Sequence, residues 1–177
     1  NCILGDPGTY IYHCNIQKRD EYRRSYNHNT VWIKDQEQSQ MMGAFLWGKK
    51  AETKLLKSDL KEKQDSLLAE CVWQNGDKHS RSFCFNKADK LVIEDDMAAT
   101  CDSYATLVLH PACQVKVENG KAIIQREDIT VCIEANVEPT IEKCWFSEEY
   151  GKEKETHKLC YPLNDNKLKT TIWIEKY

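Results

Sequence analysis

The amino-acid sequence predicts a mainly β protein built of small, disulfide-stapled, sandwich-like units with one helix. Short runs rich in β-branched residues, such as Ile129–Ile133, are typical of strands. Asn-Gly pairs at Asn75 and Asn119 stand between such runs, as they do in two-residue β-hairpins. Several of the nine cysteines are separated by 12 or 13 positions, a distance that suits neighbouring strands. These three patterns together indicate β-structure held by disulfide bonds.

Length, composition and charge narrow the class of protein. A chain of 177 residues suits one domain or a few small ones, and 41% hydrophobic residues can fill a core. The 25 basic and 28 acidic residues leave a net charge of −3, which argues against a nucleic-acid-binding protein. No apolar run approaches the ~18 residues that span a bilayer. We therefore expect contact with a membrane only through a segment outside this chain.

The cysteine pattern predicts the cellular compartment. No cysteines form a Cys-x-x-Cys pair, so the spacing of zinc ribbons and of thioredoxin-type redox sites is absent. We expect mostly disulfides, and hence a secreted or extracellular protein in an oxidising environment. The alternative is a reduced cytosolic protein with buried free thiols. Because nine is odd, at least one thiol stays free or pairs outside the chain.

A weak internal repeat suggests three related units. Cys71, Cys84 and Cys101 are separated by 13 and 17 positions, and the three cysteines from Cys132 onward by 12 and 16. A strand-like run follows the third cysteine of each set. We therefore divide the chain into a β unit with a helical linker (1–68), a second β unit (69–128) and a third, truncated one (129–177).

Two stretches stand out within the first unit. Glu52–Glu70 is rich in Leu, Lys, Glu and Gln and has no β-branched residue after Thr53, which predicts a helix near 52–69. Met41–Trp47 is a run of seven apolar residues and predicts a buried strand. If that run were exposed, it would form an aggregation-prone edge or a docking surface.

The cysteine-bearing strands resemble those of tandem immunoglobulin-like extracellular domains of the invertebrate adhesion type. A cysteine in one strand is followed, about 12 residues later, by an aromatic-flanked cysteine, and Trp145 stands next to Cys144. The resemblance covers 71–109 and 132–174. It implies three disulfide bridges, namely Cys84–Cys101, Cys144–Cys160 and Cys71–Cys113. Under the same resemblance, Cys132 would pair with a cysteine beyond Tyr177.

No motif for catalysis or cofactor binding is present. Gly-x-Ser-x-Gly, His-Glu-x-x-His and phosphate-binding glycine loops are absent, and the five histidines lie in different segments. We therefore expect no enzyme activity, no cofactor and no metal. The segment Lys18–His28 instead mixes cations with tyrosines, the residue types that dominate protein interfaces. It predicts either a solvated loop or a partner-binding loop, with the contacts made by Tyr22, Arg23, Arg24, Tyr26 and His28.

The function predicted from these features is recognition of another protein. The chain would be an adhesion protein, a receptor ectodomain or a secreted binding factor, able to form homo-oligomers. The main alternative is a secreted single-domain inhibitor or small-ligand carrier with one apolar pocket. An enzyme of unrecognised type is a third class.

Overall fold

A computed structural model describes residues 2–175, which form one short helix, one 3₁₀ turn at Ser25–Asn27 and twelve strands. The helix α1, Ile16–Glu21, is capped by the Asn15 side chain, which accepts a hydrogen bond from the Lys18 backbone N–H at 2.9 Å. The elements are α1 Ile16–Glu21, β1 Val31–Ile33, β2 Glu52–Leu60, β3 Gln64–Val72, β4 Lys78–Asn86, β5 Lys90–Ala98, β6 Ser103–Val108, β7 Gln114–Glu118, β8 Lys121–Arg126, β9 Ile129–Ala135, β10 Thr140–Glu149, β11 Lys152–Pro162 and β12 Lys167–Glu175.

The strands form two antiparallel sheets, which confirms the prediction of a mainly β protein. A four-stranded sheet has the order β1-β6-β11-β10, and an eight-stranded sheet has the order β2-β3-β4-β5-β12-β9-β8-β7. No helix within residues 2–175 is long and apolar enough to cross a membrane. The division at residues 68 and 128 stays a prediction, although strands from all three segments pair within the larger sheet.

Both Asn-Gly pairs lie in turns, but only Asn119-Gly120 forms the expected two-residue hairpin, since residues 73–77 connect β3 to β4. Asn119 and Gly120 have φ values of 51° and 77° and connect β7 to β8, with Glu118 opposite Lys121. Gly76, with a φ of 93°, lies in the turn between β3 and β4. These hairpins were predictable because their turn residues act locally.

The helix predicted near 52–69 is wrong, because this stretch forms the hairpin of β2 and β3. Its Leu- and Lys-rich composition favours a helix in isolation, but pairing with β4 adds a full ladder of interstrand hydrogen bonds. β2 is the edge strand, and a bulge between Leu55 and Lys57 interrupts its register. Such bulges commonly protect edge strands from further pairing.

The core lies between the two sheets. Alternate residues of each strand point inward, so that β1, β6 and β11 contribute Ile33, Leu107 and Leu159. The facing sheet contributes Met97 from β5 and Ile133 from β9. The outward residues of the four-stranded sheet are also largely covered, because the N-terminal segment packs on them.

Residues 2–30, here called the cover segment, pack on the outer face of the four-stranded sheet. The Gly5 N–H donates to the Val108 carbonyl at 3.0 Å, and the Ser147 N–H donates to the Pro7 carbonyl at 2.8 Å. Gly8 has a φ of 76°, and a Cβ there would lie 2.3 Å from the Ser147 carbonyl oxygen. Only glycine therefore fits this close approach.

The predicted disulfides are wrong, since no cysteines of residues 2–175 lie at disulfide distance. Cys144 and Cys160 lie on neighbouring strands, but their register partners are Thr156 and Thr140. This offset places them about 13 Å apart along the ladder. The other implied pairs, Cys84–Cys101 and Cys71–Cys113, are also free thiols. The spacing of the cysteines reflects the lengths of strands and turns, and the extracellular location stays a prediction without this support.

Core truncation should be far more costly than truncation on the edge strand. Leu159→Ala removes a fully buried side chain and should lower the free energy of unfolding by about 2–5 kcal/mol. Leu60→Ala is the matched control, because Leu60 is 72% exposed. Chemical denaturation measures both values. Equal losses in the two variants would contradict this packing.

Free thiols also make a direct prediction about reductant. The midpoint of thermal unfolding should be the same with and without reducing agent, because no covalent bridge restricts the unfolded chain. Titration of thiols in denaturant without reductant should count all nine cysteines. A lower count of thiols, together with an unfolding midpoint that falls on reduction, would show that the protein contains disulfide bonds.

Candidate functional site

The segment 22–28 that the sequence singled out lies in the cover segment, where it borders three small depressions and, through Arg24, a larger one of about 680 Å³. Tyr22 and Tyr26 line one of about 180 Å³, and Arg24 and Tyr26 line a second of about 240 Å³. A third, of about 200 Å³, is here called the hairpin cleft and is lined by Arg23, Ser25, His28, Thr30, Glu37, Gln38, Ser39 and Trp47. The structure thus divides the predicted residues between neighbouring depressions.

Arg23 and Trp47 form one wall of the hairpin cleft. The guanidinium carbon of Arg23 lies 4.1 Å from the centre of the Trp47 ring, a cation–π contact. Its Nη1 donates to the Gly43 carbonyl at 2.7 Å, which ties the cover segment to the 41–47 hairpin. Its Nη2 is buried and has no hydrogen-bond partner among residues 2–175. An unsatisfied guanidinium N–H favours an acceptor at this position.

Met41–Trp47 is not the buried strand that its composition predicted. Met41 and Trp47 pair across a small hairpin, and the tip between them projects into solvent. Met42 is 61% exposed and Phe45 is 70% exposed. The Phe45 ring lies 4.9 Å from Tyr12, which in turn lies 5.5 Å from Tyr150. The hairpin therefore adds an exposed aromatic strip beside the cleft.

His28 and Asp6 form a hydrogen-bonded pair at the cleft. His28 Nδ1 lies 2.7 Å from Asp6 Oδ2, and Asp6 Oδ1 also accepts from the Gly8 N–H at 3.0 Å. The hydrogen bond from His28 is the main cause that holds the pKa of Asp6 below its usual value. A carboxylate at Nδ1 orients the imidazole and leaves Nε2 to contact a ligand.

Asn29, next to His28, fixes the position of this pair. Its side-chain oxygen accepts from the Val108 N–H at 2.6 Å, and its Nδ2 donates to the Gly5 carbonyl at 3.1 Å. Its own carbonyl accepts from Arg81 Nη1 of the eight-stranded sheet at 2.7 Å. The chain on either side of the histidine–aspartate pair is thus held to both sheets.

Arg81 is in turn held by a buried carboxylate. Arg81 Nε and His79 Nε2 both lie 2.6 Å from Asp95 Oδ1, and Arg81 Nη2 lies 3.2 Å from Oδ2. Burial acts to raise the pKa of Asp95, but the hydrogen bond from His79 and the charge of Arg81 outweigh it. The pKa is therefore held below the usual 3.8.

The two tyrosines of the segment act mainly as packing groups. The Tyr22 hydroxyl donates to Glu153 at 2.8 Å, and the Tyr26 hydroxyl donates to Glu21. Burial and the nearby carboxylates raise the pKa of both phenols, so both stay protonated. The ammonium of buried Lys158 lies 4.5 Å from the centre of the Tyr26 ring.

Glu37, the carboxylate in the lining of the hairpin cleft, is paired with Arg24 at 3.6 Å, so a polar ligand that carries negative charge can be accommodated. Arg23 offers the unused N–H of Nη2, Trp47 offers an aromatic ring, and His28 offers a ring nitrogen. Within residues 2–175, no group of three or more His, Cys, Asp or Glu side chains is arranged to hold a metal ion.

The residues predicted from the sequence include Arg23 and His28 of this cleft but none of its other lining residues. Sequence reasoning placed Trp47 in a core and gave Asp6 no role. The Asp6-Pro7-Gly8 turn is a local signal, since Asp favours such turns, but nothing in the sequence pairs it with His28 22 positions away.

The chain belongs to the heparinase II/III-like, C-terminal family, whose model matches residues 1–175. A search of curated proteins found no significant match.

The most informative solved structures are heparinases. The heparan sulfate lyase HepC from Pedobacter heparinus superposes with a TM-score of 0.82 at 16% identity, over 99% of this chain and 29% of that one. A heparinase III, the BT4657 gene product, superposes with a TM-score of 0.81 at 18% identity, over 98% of this chain and 28% of that one. A further heparinase III superposes with a TM-score of 0.72 at 17% identity, over 97% of this chain and 27% of that one. The chain thus spans less than a third of the length of these proteins, and the likeness establishes the fold.

These comparisons overturn the immunoglobulin resemblance and the function built on it. The sandwich is of the heparinase C-terminal type, so adhesion and receptor functions are not supported. Strand-like runs with flanking cysteines occur in any β-sandwich, which is why they misled. The partner-binding role of Tyr22, Arg23, Arg24, Tyr26 and His28 stays a prediction.

The buried Asp95 predicts a defined dependence of stability on pH. Asp95→Asn should lower the free energy of unfolding at neutral pH by about 3–5 kcal/mol, because it leaves Arg81 without its counter-charge. Since the folded pKa of Asp95 is lowered, its contribution is present above pH 3.8 and is lost as the pH falls through the folded value. The variant should therefore lose less stability on acidification than the parent.

Asp96→Asn is the matched control, since Asp96 is an exposed neighbour that pairs with Lys167 at 3.2 Å. It should change the free energy of unfolding by less than about 1 kcal/mol. Denaturant titrations across the acid range measure both. Identical profiles for the two variants would show that the buried network does not carry this stability.

Proposed function

We propose that the chain binds an acidic polysaccharide in the hairpin cleft and is the saccharide-binding β-sandwich of a polysaccharide lyase. The observation that carries the proposal is the Arg23–Trp47 contact in the same cleft as His28. An aromatic face can pack against a sugar ring, while a guanidinium fork can bind a carboxylate or sulfate.

The ligand class is supported by two kinds of observation. Arg23 Nη2 is buried and lacks an acceptor within residues 2–175, so a small shift of this side chain toward the cleft would let an anion complete its hydrogen bonds. The similar solved structures are named as heparinases and as a heparan sulfate lyase. Heparan sulfate carries both carboxylates and sulfates, and it is therefore the first ligand to test.

We propose that the chain binds without cleaving. It corresponds to less than a third of the heparinases that it resembles, so groups from elsewhere in such proteins are available for the chemistry. In this proposal His28, oriented by Asp6, contacts the saccharide at the edge of the cleft. The exposed aromatic strip of Tyr12, Phe45 and Tyr150 extends the surface beyond it.

Calorimetric titration with heparan sulfate oligosaccharides tests the proposal. Trp47→Ala should weaken binding about tenfold, because it removes the stacking face and loosens Arg23. Binding by the parent should weaken as the salt concentration rises, since charged contacts are screened.

Trp173→Ala is the matched control. Trp173 also lies under a cation, with Lys121 Nζ 5.4 Å from its ring, but it belongs to the eight-stranded sheet. This variant should bind heparan sulfate like the parent. The proposal fails if the parent does not bind, or if the two tryptophan variants lose affinity equally.

A further inference from the structure

The outer face of the eight-stranded sheet carries a depression that the hairpin cleft does not use. Its volume is about 490 Å³, within the range of small-ligand sites. The strand register places the side chains of β4, β5 and β12 on one face, with Ser80 opposite Asp96 and Ser82 opposite Glu94. On the other side of β5, Lys167 pairs with Asp96 and Lys169 with Glu94. Along each strand these residues alternate with residues that face the core, so their side chains point away from the core.

The depression offers hydrogen-bonding groups that the protein leaves unused. The hydroxyls of Ser80 and Ser82 bond to no other group in the described part of the chain. The Asn136 side-chain oxygen accepts from the Lys169 N–H at 2.9 Å, which orients the amide and leaves its N–H₂ group to a ligand. Hydroxyl and amide groups in a concave site are suited to a ligand that both donates and accepts.

The charges in the depression are balanced. Lys169 Nζ lies 2.8 Å from Glu94, and Lys167 Nζ lies 3.2 Å from Asp96. A polyanion would meet two carboxylates here, so an acidic saccharide is disfavoured. Neighbouring hydroxyls of an uncharged sugar suit the same pairs, because one can accept from the ammonium while the other donates to the carboxylate.

The surface continues along β12. Alternation along the strand brings Lys169, Thr171 and Trp173 to the same face, about 13 Å from the first to the last. The Trp173 ring is partly exposed and lies 5.4 Å from Lys121 Nζ. An elongated ligand could therefore occupy the depression at one end and contact an aromatic ring at the other.

We propose that this face is a second saccharide-binding site, specific for an uncharged oligosaccharide that lies along β12 from the Ser80–Ser82 depression to Trp173. It goes beyond the function proposed above and does not depend on it, because it uses a different sheet and a ligand of different charge.

Nuclear magnetic resonance titration of the full chain with cellohexaose, xylohexaose and mannohexaose tests this site. At least one should shift the amide signals of Ser80, Ser82 and Lys169 in a saturable manner. Ser80→Ala/Ser82→Ala should weaken that binding at least about fivefold through the loss of two hydrogen bonds. Trp173→Ala should weaken binding of the hexasaccharide but leave that of the corresponding disaccharide unchanged.

Ser66→Ala is the control, because Ser66 lies on the same face opposite Cys84, outside the depression. It should bind like the parent, and the double serine variant should keep its affinity for heparan sulfate. Failure of heparan sulfate to bind would contradict the proposed function but would not affect the proposal of this second site. Absence of shifts with all three neutral hexasaccharides, or equal shifts with a heparin hexasaccharide, would overturn the second site.

Discussion

The contacts of Asn29 hold together the parts of this molecule that matter for its site. The side chain joins the cover segment at Gly5 to the four-stranded sheet at Val108, and the backbone carbonyl reaches Arg81 of the eight-stranded sheet. Three layers thus meet at one residue. Because the side-chain oxygen and the side-chain N–H₂ group are both used, aspartate or leucine at this position would lose at least one of these contacts.

This junction explains how an irregular segment can carry a well-defined cleft. Residues 2–30 contain little regular structure, yet their backbone groups bond to β6 and β10. Behind Asn29, Arg81 is fixed by Asp95, whose own burial is tolerated because two donors satisfy it. A histidine beside such an anchor keeps its distance to Asp6 without help from a helix or a strand. Rigid sheets with functional groups on attached loops are the common arrangement in enzymes and binding proteins.

Features that depend on neighbouring residues could be predicted from the sequence, whereas features that depend on contacts between distant residues could not. The turns at Asn75-Gly76 and Asn119-Gly120 could be predicted because the residues that need positive φ also make the turn. The hairpin Glu52–Val72 could not, because its strand state depends on pairing with β4 rather than on its own composition. The pairing of Asp6 with His28 likewise arises only when the cover segment lies on the sheet. The cleft could therefore be found in part, through its cations and tyrosines, but its geometry could not.

The balanced charge of the chain does not conflict with the binding of an acidic ligand. Net charge governs long-range attraction, whereas a site depends on how individual cations are held. Arg24 already has Glu37 at 3.6 Å, so an incoming anion gains little there. Arg23 also has a carboxylate nearby, since its Nη1 lies 3.4 Å from Asp20 Oδ1. Its guanidinium is nevertheless fixed by stacking on Trp47 and bonding to Gly43, and Nη2 keeps an unused N–H among residues 2–175. A cation that is already ordered and incompletely bonded costs little further entropy when it binds. In the proposed function, Arg23 rather than the overall charge would therefore select an anionic saccharide.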